Sequence, residues 1–194
     1  MTMTTLDPMT ALIVIDMQRG IAFRDDLAPH PTAQVIDRIG ELVTAFRAHD
    51  LPVVMVNVAG IPPGRTDRNA GQPARTIAPE ATEFIDQLAP EPGDIVVTKH
   101  SRSAFVGTGL VETLRARGVT QVVVVGIASG AGVESTARDA HEAGFHVSLP
   151  TDAMTDSSAD RHAHSVESIF PQIAETGSTA DVLALIPAGA ARRQ

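Results

Sequence analysis

The stretch VVVVGIASGAGVESTARDA, residues 122–140, runs from four valines through three glycines into a pattern of helical period. An unbroken apolar run of this kind is the mark of a strand covered on both faces. A strand that turns at once into a helix belongs to a βαβ unit, and such units wind into parallel sheets. The rest of the chain repeats the pattern. TALIVIDMQ (10–18), PVVMVNVA (52–59), IVVTKH (95–100), QVVVVGIA (121–128) and HVSLPTDA (146–153) read as strands, with a short sixth over 174–177. Helical patterns lie between them. Residues 32–49 place Val35, Ile39, Leu42, Val43 and Phe46 on one stripe. Others fall near 80–88, over 109–118 and about 133–143, each of these two stopped by a glycine, and over 159–174, with a capped helix at STADVLALI. The alternation predicts an α/β fold of three layers, α/β/α, around a doubly wound, mostly parallel, six-stranded Rossmann-like sheet. Residues 1–187 are expected to form one domain and 188–194 a flexible tail.

Composition narrows the function. The 194 residues carry 15 basic and 23 acidic side chains, a formal charge of −8, which gives no basic footprint for nucleic acid. Tyr and Trp are absent, so base-stacking platforms are not expected. The start, MTMTTLDPMT, lacks the order of a signal peptide, and no apolar run reaches membrane-spanning length, so a cytoplasmic protein without membrane partners is expected. Cysteine is absent, which rules out disulfides and a thiolate nucleophile. Lysine occurs once, as Lys99 at the end of the third strand, in a chain whose other cations are arginines.

Sheets of this class bind ligands beyond the carboxyl ends of their strands. The polar residues there are Asp16 and Gln18, Asn57, Lys99 with His100, Ser129 to Gly132, and Thr151 with Asp152. The spacing Gly126-x-x-x-Gly130-x-Gly132, with Asp152 one strand later, also fits a dinucleotide loop. That motif normally follows the first strand, however, and the dehydrogenases that carry it use a tyrosine absent here. The simplest role of Gly126 is a tight turn. Gly130 and Gly132 lie at a helix start, where free N–H groups favour an anion or a developing oxyanion.

With Asp16, Lys99 and this turn in view, the chain resembles the isochorismatase-like, or cysteine hydrolase, superfamily. LIVIDMQRGIAF (12–23), VVTKHSRSAFVGT (96–108), VVVVGIASGAGVESTARDAHEAGF (122–145) and HVSLPTDAMTDSSADRHAHSV (146–166) carry the resemblance, which spans nearly the whole chain. It implies an Asp–Lys–Cys triad in which the aspartate falls on Asp16, the lysine on Lys99 and the cysteine on Gly132. Glycine at that position is similar to a branch of true isochorismatases, which cleave an enol ether without a covalent intermediate, and the turn ending "GVESTAR" most resembles a further branch of hydrolases with no settled substrate. The resemblance further implies a cis peptide at Ile127–Ala128, anion-binding amides at Ala128 and Gly132, and a pocket lined by Gln18, Phe23 and Phe105, for which plain loop packing is the alternative. It implies a homo-oligomer, dimer or tetramer. VNVAGIPPGRTDRN (56–69) lacks the histidine of the metal-binding members, so neither metal nor other cofactor is expected.

The remaining candidates carry simpler alternatives. Asp16 either does acid–base work or ties down the next loop, and Lys99 either holds a substrate carboxylate or only pairs with Asp16. His100 and Arg102 are candidates for binding a substrate carboxylate. Ser129 caps the following turn unless it replaces the lost nucleophile, and no histidine is placed by sequence to activate it. His162 and His164, two apart, read as solvated, Asp152 as ordering its own turn, and Glu134 with Arg138 as a surface pair. Two functions follow. One is a hydrolase acting without covalent catalysis on a small anionic substrate, an enol ether such as isochorismate among them. The alternative is a silent relative that keeps the pocket for binding or assembly.

Overall fold

The computed structural model describes residues 3–67 and 77–186. The expected tail at 188–194 and residues 68–76 lie outside them. Strands β1 (Thr10–Ile15), β2 (Val53–Val58), β3 (Ile95–Lys99), β4 (Gln121–Ile127), β5 (His146–Pro150), β6 (Met154–Thr155) and β7 (Glu175–Gly177) form one sheet. Its order is β3-β2-β1-β4-β5-β7, with β6 beside β4 and every pairing parallel. The winding reverses at β1, the strand that Asp16 follows. The six expected strands are all present. The two-residue β6 is additional: the chain leaves β5 at Pro150, makes a turn over Thr151–Ala153, and returns to pair with Gly126 and Ile127.

All six residues of β1 and all seven of β4 are buried, because helices cover both faces of the sheet. Leu12, Val14, Val123, Val125 and Ile127 face one core, which α2 (Thr32–Ala48) and α7 (Thr179–Leu185) complete. Ala11, Ile13, Ile15, Val122 and Val124 face the other, under α4 (Leu110–Ala116) and α5 (Glu134–Glu142). The stripe predicted on α2 is its buried face, residue for residue. Short helices α1 (Arg19–Ala22), α3 (Pro79–Thr82) and α6 (Ala159–His164) lie at the carboxyl edge.

Two predicted helices are broken. The 80–88 segment is α3 followed by a 3-10 turn at Asp86–Leu88, because Phe84 bridges to Gln18 and Ile85 N–H bonds to the Met17 carbonyl between them. The 159–174 segment ends as α-helix at His164, widens over Ser165–Ile169 and tightens at Phe170–Gln172. Pro171 has no N–H with which to continue the ladder. The final helix has the expected cap, with Ser178 and Asp181 satisfying each other's backbone amides.

Gly126 does more than make a turn. It sits inside β4 opposite Ile15 at φ +118°, and a Cβ there would run into the Ile15 carbonyl oxygen. Side chains other than hydrogen are excluded by both conformation and space. Gly126→Ala is expected to destabilise the fold by more than about 3 kcal/mol in urea unfolding, and a loss under 1 kcal/mol would contradict this packing.

Candidate active site

Asp16 leaves β1 with a left-handed backbone, φ +55°, and its N–H is held by the Val56 carbonyl at 2.9 Å. Such a conformation is unusual for a residue with a side chain and is held here by the surrounding strands. From β3, Lys99 reaches across the end of β2, and its Nζ donates to Asp16 Oδ2 at 2.8 Å. Both side chains are almost fully buried. The same ammonium donates to the carbonyls of Ser101 at 3.2 Å and Arg102 at 2.9 Å. With all three hydrogens engaged, Lys99 has none for a substrate carboxylate. The expectation that it grips one is corrected: it supplies charge and fixes Oδ2.

Gly132 completes the group. A Cβ on it would lie 3.1 Å from Asp16 Oδ2, 3.5 Å from Lys99 Nζ and 2.8 Å from Ile15 Cγ2. Asp16, Lys99 and position 132 thus converge, and the bare backbone leaves the space above the carboxylate open. Ile127–Ala128 is cis, and the Ala128 carbonyl accepts from the N–H groups of Ala131 and Val133 as the chain enters the widened turn Ser129–Val133 before α5.

The three groups open into a cavity of about 390 Å³ at the carboxyl edge. Ala128 and Arg102 line it, together with apolar Ile21, Leu27 and Ile127. Asp156, Ser157 and Arg161 form another wall. The other predicted pocket residues are placed elsewhere. Gln18 is buried and clamps the edge: its Nε2 donates to the carbonyls of Val58 and Ala81, and its Oε1 accepts from Val58 N–H. Phe23 is exposed and Phe105 stacks on Phe145 against the second core. His100 is exposed beside Gly60.

Two readings of the histidine pair change. His164 is exposed, but His162 is buried, and its Nδ1 lies 2.8 Å from the Ser129 hydroxyl. A histidine is therefore placed beside Ser129, although the link spans 33 residues and only the fold makes it. Burial, and secondarily His30, holds the His162 imidazole below its ordinary pKa against the pull of Asp156. Ser129 is fully buried and its hydroxyl also meets the Thr155 carbonyl at 3.2 Å. The pair braces the back of the glycine turn. Asp152 does not order its own turn: its Oδ1 accepts from the N–H and hydroxyl of Thr179 and so caps α7. Glu134 pairs with Arg138 as predicted and also accepts from Ser165.

Electrostatically, Asp16 is the outlier. Burial raises its pKa from 3.8 to about 6, and the attraction and hydrogen bond of Lys99 oppose this without cancelling it. Its second oxygen, Oδ1, is buried with no partner among the described residues. A carboxyl poised near neutrality in a cleft is suited to proton transfer. Among the described residues no three His, Asp or Glu side chains converge as a metal site, and none of their helices is long and apolar enough to cross a membrane.

A strand-end aspartate, a lysine from the next-but-one strand and a glycine turn over both define a hydrolase fold of the isochorismatase kind. A family model, the isochorismatase domain, matches residues 10–181, and the chain belongs to that family. It is 36% identical over 179 residues to the uncharacterized isochorismatase family protein YecD of Escherichia coli O157:H7, which covers 90% of this chain and 94% of that one. It is 38% identical over 168 residues to ureidoacrylate amidohydrolase RutB of Methylobacterium radiotolerans, over 73% of this chain and 64% of that protein. An isochorismatase family protein from Burkholderia thailandensis superposes with a TM-score of 0.87 at 38% identity, over 94% and 97% of the two chains.

The raised pKa has a thermodynamic consequence. Between pH 3.8 and about 6 the folded chain binds more protons at Asp16 than the unfolded chain does. That contribution to stability is complete below pH 3.8 and is lost as pH rises through 6. The stability of wild type relative to Asp16→Asn is therefore expected to fall by roughly 2 kcal/mol between pH 4 and 7. A flat or rising difference in paired urea titrations would refute the raised value.

Proposed function

We propose that this protein is a hydrolase that acts on a small anionic substrate without a covalent intermediate, with Asp16 as the acid. The observation that carries the reading is the buried Asp16 carboxyl, with a pKa of about 6, held at 2.8 Å by Lys99 under a glycine. RutB is named an amidohydrolase. Attack by a cysteine thiolate is unavailable to this chain, which has none.

An enol ether suits the remaining groups. The proton on Asp16 passes to the terminal vinyl carbon, and the ether oxygen shares the resulting positive charge as an oxocarbenium ion. Water adds to that cation and loses a proton. The hemiketal then collapses to a ketone and an alcohol, and Asp16 regains a proton from solvent. Isochorismate is a substrate of this chemical type. Desolvation keeps Asp16 protonated to higher pH than an exposed carboxyl, Lys99 stabilises the carboxylate left after transfer, and the amides of Ala128 and Gly132 face negative charge on the substrate. The reading takes the protein as an enzyme rather than a silent binder, because a packing residue has no need of a titrating carboxyl at a cavity wall.

The test is turnover of isochorismate and a panel of small carboxylate enol ethers, followed as release of the 2-oxo acid. Asp16→Asn is expected to lower kcat at least about 100-fold. For wild type, kcat/KM is expected to fall above about pH 6, where Asp16 deprotonates. Full activity in Asp16→Asn would eliminate the mechanism, and a profile that instead rises through pH 6 would make Asp16 a base.

A further inference from the structure

The lining of the same cavity contains a second ionic arrangement that the proposed chemistry does not use. Asp156 follows β6, its side chain fully buried. Its Oδ2 accepts from Gly130 N–H at 2.7 Å. Its Oδ1 accepts from Ser157 N–H at 2.7 Å, the Ser157 hydroxyl at 3.1 Å and Arg161 Nε at 2.9 Å. Four donors satisfy a carboxylate that would otherwise be costly to bury. One of them belongs to the glycine turn and one to a cavity-lining guanidinium, so a single carboxylate ties the two together.

The cavity's cations are not equivalent. Arg24 has one edge of its guanidinium, Nε and Nη2, on the exposed Asp26 carboxylate, and Lys99 is saturated. Arg102 is exposed, and its guanidinium makes no ion pair or hydrogen bond with the described residues, so nothing fixes its position. Arg161 combines the useful properties. Nε is anchored on a buried carboxylate, both Nη groups are without a partner among the described residues, and the side chain is 45% exposed at the cavity wall. A guanidinium held at one nitrogen loses little freedom on binding and still presents planar donors, the geometry that recognises a carboxylate.

We infer that Arg161 binds the carboxylate of the substrate and that Asp156 is its positioning residue, which holds that grip in register with the Gly130–Gly132 turn. The inference rests on the anionic substrate proposed above and names the group that selects it. Apolar Ile21, Leu27 and Ile127 on the same lining suit a carboxylate joined to a compact hydrocarbon body.

Binding, rather than turnover, tests this. Benzoate, pyruvate and neutral benzamide serve as probes, with dissociation constants from isothermal titration at pH 7.5. Wild type is expected to prefer the two anions to benzamide. Arg161→Gln is expected to weaken both anions at least about 10-fold with benzamide unchanged, and Arg161→Lys to restore part of the preference. Asp156→Asn is expected to weaken the anions in the same way, and adding it to Arg161→Gln to produce no further loss, the non-additivity of groups that act as one unit. Retained anion preference in Arg161→Gln, or its absence in wild type, overturns the inference, as does an additive double variant. The two proposals fail separately. Anion binding that depends on Arg161, in a protein that turns over no enol ether, would leave the grip standing and remove the hydrolase.

Discussion

The site is built on one ion pair that spans three strands. Asp16 follows β1 directly, Lys99 ends β3, and β2 lies between them, so the 2.8 Å contact of their side chains ties the carboxyl edge of the sheet together. The pair is kept dry, which sets two opposing effects on the same carboxyl. Desolvation favours the neutral acid and the ammonium favours the anion. Desolvation prevails, and the pKa settles at about 6. Lys99 is in turn immobilised by the carbonyls of Ser101 and Arg102. The lysine therefore tunes and orients the Asp16 carboxyl, and under the proposed function the charge of the substrate falls to cations elsewhere in the cavity.

The glycines around this pair serve separate physical needs. Gly126 lets β4 come against β1, since a Cβ would strike the Ile15 carbonyl. Gly132 leaves open the space into which a side chain would project beside Asp16 and Lys99. Gly130 offers its N–H to Asp156. The seven residues from Gly126 to Gly132 thus contribute to sheet packing, to the gap beside Asp16 and to the link with Asp156.

The fold was readable because its signals are local. Valine-rich runs and the α2 stripe declare their burial by composition and period, and both cores follow from alternation along β1 and β4. What periodicity missed is set by long-range contacts, such as β6, whose two residues pair only with the end of β4. Asp16, Lys99 and Gly132 were legible from strand-end position, from the scarcity of lysine and from family resemblance. His162 beside Ser129 was not, because neighbours two apart on a helix gave no sign that only one of them turns inward. Asp156 and Arg161 were missed for a related reason. An acid five residues before an arginine carries no pairing signal until the tertiary fold buries the acid and brings Gly130 to it.

The central claim is that burial beside a lysine leaves Asp16 holding its proton close to neutrality. It is tested most directly by carbon-13 NMR of the side-chain carboxyl in protein labelled at aspartate, with the Asp16 signal assigned by its loss in Asp16→Asn. The account predicts a titration midpoint near pH 6 that moves higher when Lys99 is replaced by methionine. A midpoint at or below pH 4, or one indifferent to Lys99, would contradict it.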